Sequence, residues 1–323
     1  MIKELQKQVE QQIASIKWIQ QPTGLYEPIE YVLSLGGKRI RPVLTLLACR
    51  LFSGDEKAAM PAALAIEVFH NFTLLHDDVM DRADTRRGKA TVHKKWNDNT
   101  AILSGDAMLI KAYQMLQSVS SNQFPLLLQL FSQTAMEVCE GQQYDVDFES
   151  DDSVSLDSYI EMIRLKTAVL LAASLKMGAL IGGASQKDAD ALYQYGINLG
   201  LAFQLRDDYL DSFGDAAVFG KKIGGDICCN KKTFLMINAL QLASEDDKKE
   251  LLAWMRRNDV TCFEQKVDAV LKIYKKLQID QLCEEAIHKY FTKSVESLKD
   301  IQLSDNEKDI LIDFANKLMG RNS

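Results

Sequence analysis

Apolar residues recur at intervals of three and four along most of the chain, and strict apolar–polar alternation is nearly absent. That period belongs to helices with one buried stripe, not to half-buried strands. Three stretches each predict a single long helix: Ala63–Asp81, Leu130–Phe148 and Asp190–Asp211. Late helices carry start signals. Ser304 with Glu307 spells a capping box, and Ser244 with Asp247 resembles one. Breaks fall at Gly36-Gly37, across 84–96, at 149–153, at Gly182-Gly183 and across 213–230. The five prolines all lie at or before position 125, and no Ser/Pro-rich linker interrupts the pattern. The prediction is an all-α fold, one domain over residues 1–323, with ten or more helices.

Composition narrows the partners. The chain has 323 residues, 47% hydrophobic and 26% charged, so a sizeable core is available. A net charge of −7 argues against nucleic acid as the main partner. Six cysteines show no CxxC pair, and adjacent Cys228-Cys229 suit neither a structural disulfide nor a zinc site, so reduced thiols are expected. The N-terminal "MIKELQKQVEQQ" lacks the pattern of a secretory signal. The longest apolar run, Ala168–Ala184, is shorter than a membrane span and contains Lys176; a buried helix explains it. The expectation is a cytoplasmic protein with no membrane span.

Two segments break the even distribution of charge. "HDDVMD" (His76–Asp81) and "RDDYLD" (Arg206–Asp211) each contain two adjacent aspartates and a third three residues on. On a helix, residues four apart share a face, so Asp77 aligns with Asp81 and Asp207 with Asp211, flanked by Asp78 and Asp208. Like charges so placed repel, and partial burial strips their hydration. A divalent cation removes both penalties. The loop glycine and alternating ligands of an EF-hand are missing, whereas magnesium takes one or two carboxylates, several waters and phosphate oxygens. Two facing clusters could thus hold a diphosphate through bridging Mg²⁺; the bland alternative is a solvated acidic helix end.

Cations gather near these acids. "GGKRIRP" (Gly36–Pro42) joins a flexible turn to Lys38, Arg39 and Arg41 ahead of a helix, a plausible phosphate cradle or else a basic surface turn. Arg86 and Arg87 follow the first acidic segment, and Lys166, Lys221 and Lys231 lie further on. His70 sits seven residues before Asp77, on the same helix face; it reads equally as a core histidine or a phosphate donor. The pattern suits a polyanionic ligand held partly by metals and partly by Arg and Lys.

Six segments in order, "GGKRIRP", "HNFTLLHDDVMDRADTRRG", "GQQYD", "KT", "FQLRDDYLD" and "GKKIGGDICCNKKT", resemble the trans (head-to-tail) isoprenyl diphosphate synthases. The resemblance covers nearly the whole chain. It implies a bundle of long helices around a central cavity, a homodimer, and condensation of isopentenyl diphosphate with an allylic diphosphate. By the same resemblance Asp77 and Asp81 ligate two Mg²⁺ and Asp207 a third, with Asp208 and Asp211 nearby or water-linked. Arg86, Lys166 and Lys221 hold the allylic diphosphate. Lys38, Arg41, His70 and Arg87 hold that of isopentenyl diphosphate. Thr167 and Gln204 flank the reacting carbons, and Lys231 helps close the 213–230 loop. Asn230 departs from the pattern, standing where many relatives carry glycine.

Bulk at the fourth and fifth positions before the first aspartate floors the cavity in this family; here those are Thr73 and Phe72. Thr73 lies one turn below Asp77, while Phe72 is roughly 140° around the helix, so its role rests on the resemblance. One aromatic at the fifth position favours C15 or C20 products over medium and long chains. A class I terpene cyclase is the rival enzyme, but cyclases lack a second diphosphate site and usually carry a different second metal motif. A regulatory partner subunit would tend to lose aspartates, and a metal-buffering scaffold would bind ions without diphosphate.

Overall fold

The computed structural model describes residues 1–52, 55–120, 122–151, 153–214, 223–257 and 263–320. Contacts divide the chain into two compact units, Met1–Ser132 with Ala173–Leu192, and Gln133–Ala172 with Tyr193–Ser323.

The first unit holds α1 (Ile2–Ser15), α2 (Thr23–Ser34), α3 (Ile40–Phe52), α4 (Glu56–Met80), α5 (Val92–Lys95) and α6 (Asp98–Leu116), with the start of α7 (Phe124–Ser150). Residues 173–192 add the end of α9 (Val169–Ile181) and the start of α10 (Gln186–Phe213). Its core is α3, buried without interruption from Pro42 to Cys49. A β-carbon at Gly178 would collide with the Thr45 carbonyl, and one at Gly182 would lie 2.6 Å from that of Cys49. These two glycines therefore let helix backbones touch. Helix α4 is long and apolar enough to cross a membrane, but 67% of its most apolar window is buried inside the protein. It is a second core helix of this unit, beside α3.

The second unit contains the rest of α7, α8 (Leu156–Ile163), a π-helical turn at Arg164–Ala168, the start of α9 and most of α10. It continues through α11 (Gly225–Cys228), α12 (Phe234–Leu242), α13 (Glu245–Met255), α14 (Phe263–Lys276), α15 (Ile279–Glu296) and α16 (Asp305–Met319). Tyr195, with Tyr274 the largest fully buried side chain in this unit, donates to the Leu311 carbonyl at 2.8 Å, so a long-range bond satisfies the buried hydroxyl. The Ser304–Glu307 capping box forms in full. At Ser244 only half does: its hydroxyl accepts from the Asp247 amide, while the Asp247 carboxylate takes the Ser244 hydroxyl and Lys276.

The all-α expectation holds. Among the described residues the sole β-structure is a ribbon of β1 (Thr85–Arg86) against β2 (Lys89–Ala90), inside a stretch read only as a break. Arg87 and Gly88 form its two-residue loop, both with positive φ (53° and 73°), as a primed hairpin turn requires. None of the five described cysteines forms a disulfide.

Candidate functional site

In the first unit the first aspartate motif lies at the C-terminal end of α4. Asp77 is on the last turn and Asp81 is the C-cap, its amide donating to the Asp77 carbonyl at 2.8 Å. Carbonyl ends of a helix carry partial negative charge, so carboxylates here face the wrong pole. A cation offsets both that and their mutual repulsion. Asp77 is half-buried and Asp81 exposed, and both offer hard oxygen donors. Asp78 differs: it is 5% exposed and held by Arg86, whose Nε lies 2.8 Å and 2.9 Å from its two oxygens. Arg86 Nη2 also lies 2.8 Å from Oδ1, so the arginine and aspartate of the first motif form a bidentate pair.

The three cations of the 36–42 turn do not share one fate. Arg39, at φ 47°, is buried and ion-paired with Glu67 at 2.6 Å and Glu10 at 2.8 Å, and it donates to the Leu33 carbonyl. It anchors the turn instead of serving a ligand, which corrects its place in the expected cradle. Lys38 stays exposed. Arg41 Nη1 lies 3.1 Å from His70 Nε2, while Arg41 Nε is buried without a hydrogen-bond partner. Arginine only donates, so Nε2 accepts and the neutral ring carries its proton on Nδ1. Burial, then Arg41, Arg87, Arg86 and Arg39, hold His70 well below the usual histidine range. Burial also pulls Arg41 down to about 10 and lowers Arg87. Arg87 donates to the Gly36 carbonyl, and a β-carbon at Gly37 would lie 2.9 Å from its Cζ. The Gly-Gly turn, Arg41, His70 and Arg87 therefore converge on one strongly positive locus suited to an anion.

In the second unit glycines set the geometry. A β-carbon at Gly200 of α10 would lie 2.6 Å from the Ala168 Cα, and one at Gly196 2.5 Å from the Ala172 Cα. A β-carbon at Gly141 of α7 would collide with the Lys166 amide. The π-turn, a form that recurs at functional sites, is thereby clasped by two helices and carries Lys166 and Thr167, both half-buried. Lys166 Nζ meets Asp145 at 2.6 Å, and Thr167 donates to Gln204 Oε1 at 3.0 Å. Gln204 in turn donates to Asp208 Oδ1 at 3.1 Å, and Tyr159 donates to Oδ2. Asp208 is buried, and desolvation, with Asp226 next, pushes its carboxyl up to about 8. Asp211 is half-buried on the last turn of α10, the same unfavourable pole as in α4, and Asp207 is half-buried one turn earlier. No three His, Cys, Asp or Glu side chains form a preassembled metal cluster among the described residues. Magnesium does not need one, since it binds through one or two carboxylates and completes its shell with water and phosphate.

A family profile described as Polyprenyl synthetase matches residues 22–276. The chain belongs to the polyprenyl synthetase family. A geranylgeranyl diphosphate synthase of Methanosarcina mazei is 42% identical over 242 residues, 74% of this chain and 75% of its own. A crystal structure of a geranylgeranyl pyrophosphate synthase superposes with a TM-score of 0.95 at 46% identity, covering 100% of this chain and 99% of that one. Another, from Corynebacterium glutamicum with isoprenyl diphosphate and magnesium, gives 0.85 at 29% identity, covering 99% and 98%. These proteins are prenyl diphosphate synthases, and this chain is an enzyme of that class, a prenyltransferase.

Within this polyprenyl synthetase, sequence reading passed over Asp226. Its amide donates to Asp211 Oδ2 at 2.9 Å, and its charge acts on Asp208, so it joins the second aspartate motif. Its place in "GGDICC" after a helix break was the only signal. Tyr159, 49 residues from Asp208, gave none. Lys221 lies outside the described residues. Lys231 is exposed just after α11, its amide donating to the Asp226 carbonyl at 3.0 Å.

Proposed function

We propose that this prenyltransferase condenses isopentenyl diphosphate with dimethylallyl, geranyl or farnesyl diphosphate to give an all-trans C15–C20 prenyl diphosphate. The observation that carries this reading is the positive locus of Arg41, Arg87 and neutral His70 beside the Gly-Gly turn. A terpene cyclase has no use for such a locus in addition to its metal motifs.

On this reading Lys38, Arg41, His70 and Arg87 bind the diphosphate of isopentenyl diphosphate, His70 donating from Nδ1. Arg86, Lys166 and Lys221 bind the allylic diphosphate. The Asp78–Arg86 and Asp145–Lys166 pairs hold two of those cations in fixed positions. Asp77, Asp81 and Asp207 ligate three Mg²⁺, with Asp208 and Asp211 behind them. Bound there, the ions supply Lewis-acid stabilisation of the departing diphosphate. Fixed cations strengthen that stabilisation as the allylic C–O bond breaks. The double bond of isopentenyl diphosphate forms the new C–C bond, and the proton then lost passes to released diphosphate. Thr167 and Gln204, tied to each other, flank the reacting carbons. One polyprenyl synthetase domain over residues 1–323, cytoplasmic and homodimeric, completes the proposal. Leu103 and Ile110 of α6, seven residues apart and each 59% exposed, support a paired face.

Phe72 and Thr73 set product length in this account. Phe72 is buried, edge-on to His76 at 4.8 Å and tilted on Phe69 at 5.5 Å; Phe69 in turn meets Phe131. A braced ring makes a firm stop. Chromatography of products from isopentenyl diphosphate and each primer is expected to show C15–C20 chains for the wild type and longer ones for Phe72→Ala. An unchanged distribution would remove Phe72 from this role, and no elongation with any primer would refute the function.

A further inference from the structure

We propose that Lys266 is a positioning residue for the diphosphate end of the reaction, acting through Asn230. The proposal rests on the reading that the second aspartate motif serves the metals and the allylic diphosphate.

Asn230 joins α11 to Lys231 with φ at 57°, a left-handed conformation that strains a residue with a β-carbon. Asparagine tolerates it better than most residues, but it still needs something to hold it there. Lys266 provides that hold. Its Nζ reaches from α14 to Asn230 Oδ1 at 2.6 Å and to the Cys228 carbonyl at 3.3 Å. Lys266 is 6% exposed, an unusual burial for lysine, and desolvation lowers its pKa. Two carbonyl groups of one turn thus receive a buried ammonium, which makes these charge-assisted bonds.

The opposite end of the same segment is tied to the aspartate motif. Asp211 accepts the Asp226 amide on Oδ2 at 2.9 Å and the Gly224 amide on its carbonyl at 2.7 Å. Gly224 has φ 83°, and a β-carbon there would meet Val267, the residue after Lys266, at 2.5 Å. Residues 224–231 are therefore bracketed between the last aspartate of the motif and α14. Asp226 and Lys231 are the side chains this bracket places. Losing the Lys266 tie frees the Asn230 turn, while α14 keeps its packing through Val267, Val270, Ile273 and Tyr274.

The test is steady-state kinetics on the full chain with each substrate varied, for Lys266→Met, Asn230→Gly, Asn230→Asp and the Met/Gly double variant. Lys266→Met is expected to raise the allylic-diphosphate KM about tenfold, the scale of one charge-assisted hydrogen bond. The KM for isopentenyl diphosphate should stay near wild type. Asn230→Gly, which keeps the left-handed backbone but removes the acceptor, should reproduce the shift and carries the test if Lys266→Met does not fold. The double variant should add nothing further, and Asn230→Asp, which retains an acceptor, should behave as wild type. An unchanged allylic KM, an equal rise for both substrates, or additive effects would overturn the proposal. Asp207→Ala in the same assay separates the two layers. If it turns over at a near-normal rate, the metal reading fails; if its turnover collapses while Lys266→Met keeps its allylic KM, only the positioning role fails.

Discussion

Replacing Asp207 by alanine will lower turnover by about a thousandfold or more and leave the far-ultraviolet circular dichroism unchanged. Removing one preorganised stabilising group from a transition state typically costs about a hundred- to a thousandfold, and a metal ligand also releases its ion. Asp207 sits half-buried on α10, and its loss leaves the buried packing of Leu205 and Leu210 on that helix in place. Its neighbours differ: Asp208 is built into the Tyr159–Gln204 network, and Asp211 caps the turn at Asp226. Near-normal turnover with a native spectrum is incompatible with a metal role for Asp207.

The second large effect is on stability. Glu67→Ala removes the buried one of Arg39's two carboxylate partners, since Glu67 is 2% exposed and Arg39 3% exposed, and leaves only the more exposed Glu10. Asn71 also loses its 2.9 Å bond to the same carboxylate. Breaking a buried ion pair by removing one partner costs about 3–5 kcal/mol. For a chain of this length that lowers the melting midpoint by about 6 °C. Because Arg39 anchors the Gly36–Arg41 turn, the KM for isopentenyl diphosphate should rise as well, about tenfold if one anion contact is lost. Calorimetric melting and substrate titration check both, and an unshifted midpoint would show that Glu10 alone satisfies Arg39.

Much of this was legible in the sequence, for identifiable reasons. The helices were readable because burial imposes a period of 3.6, and Ser304–Glu307 because a capping box is local. The aspartate pairs were readable because i and i+4 share a face whatever surrounds them. What failed to show depends on partners distant in the chain. Arg39 and Arg41 are chemically identical in the sequence; Glu10 and Glu67, 29 and 28 residues away, turn one of them inward. Asp208 and Asp207 are adjacent, yet Tyr159 claims only one. The π-turn that presents Lys166 and Thr167 has no propensity signature; it exists because Gly141, Gly196 and Gly200 allow three backbones to crowd. Asn230 stood out as a departure from glycine, but its counterpart Lys266 lies 36 residues on and became visible only in the folded chain.

Titration calorimetry of the wild-type protein with inorganic pyrophosphate, in magnesium and again in excess chelator, is the most direct test of the claim that carboxylates and metal together hold the diphosphate. Saturable binding that requires magnesium, and that disappears in chelator, is the predicted result. Heat that is the same in both conditions, or magnesium uptake that pyrophosphate does not strengthen, would contradict it.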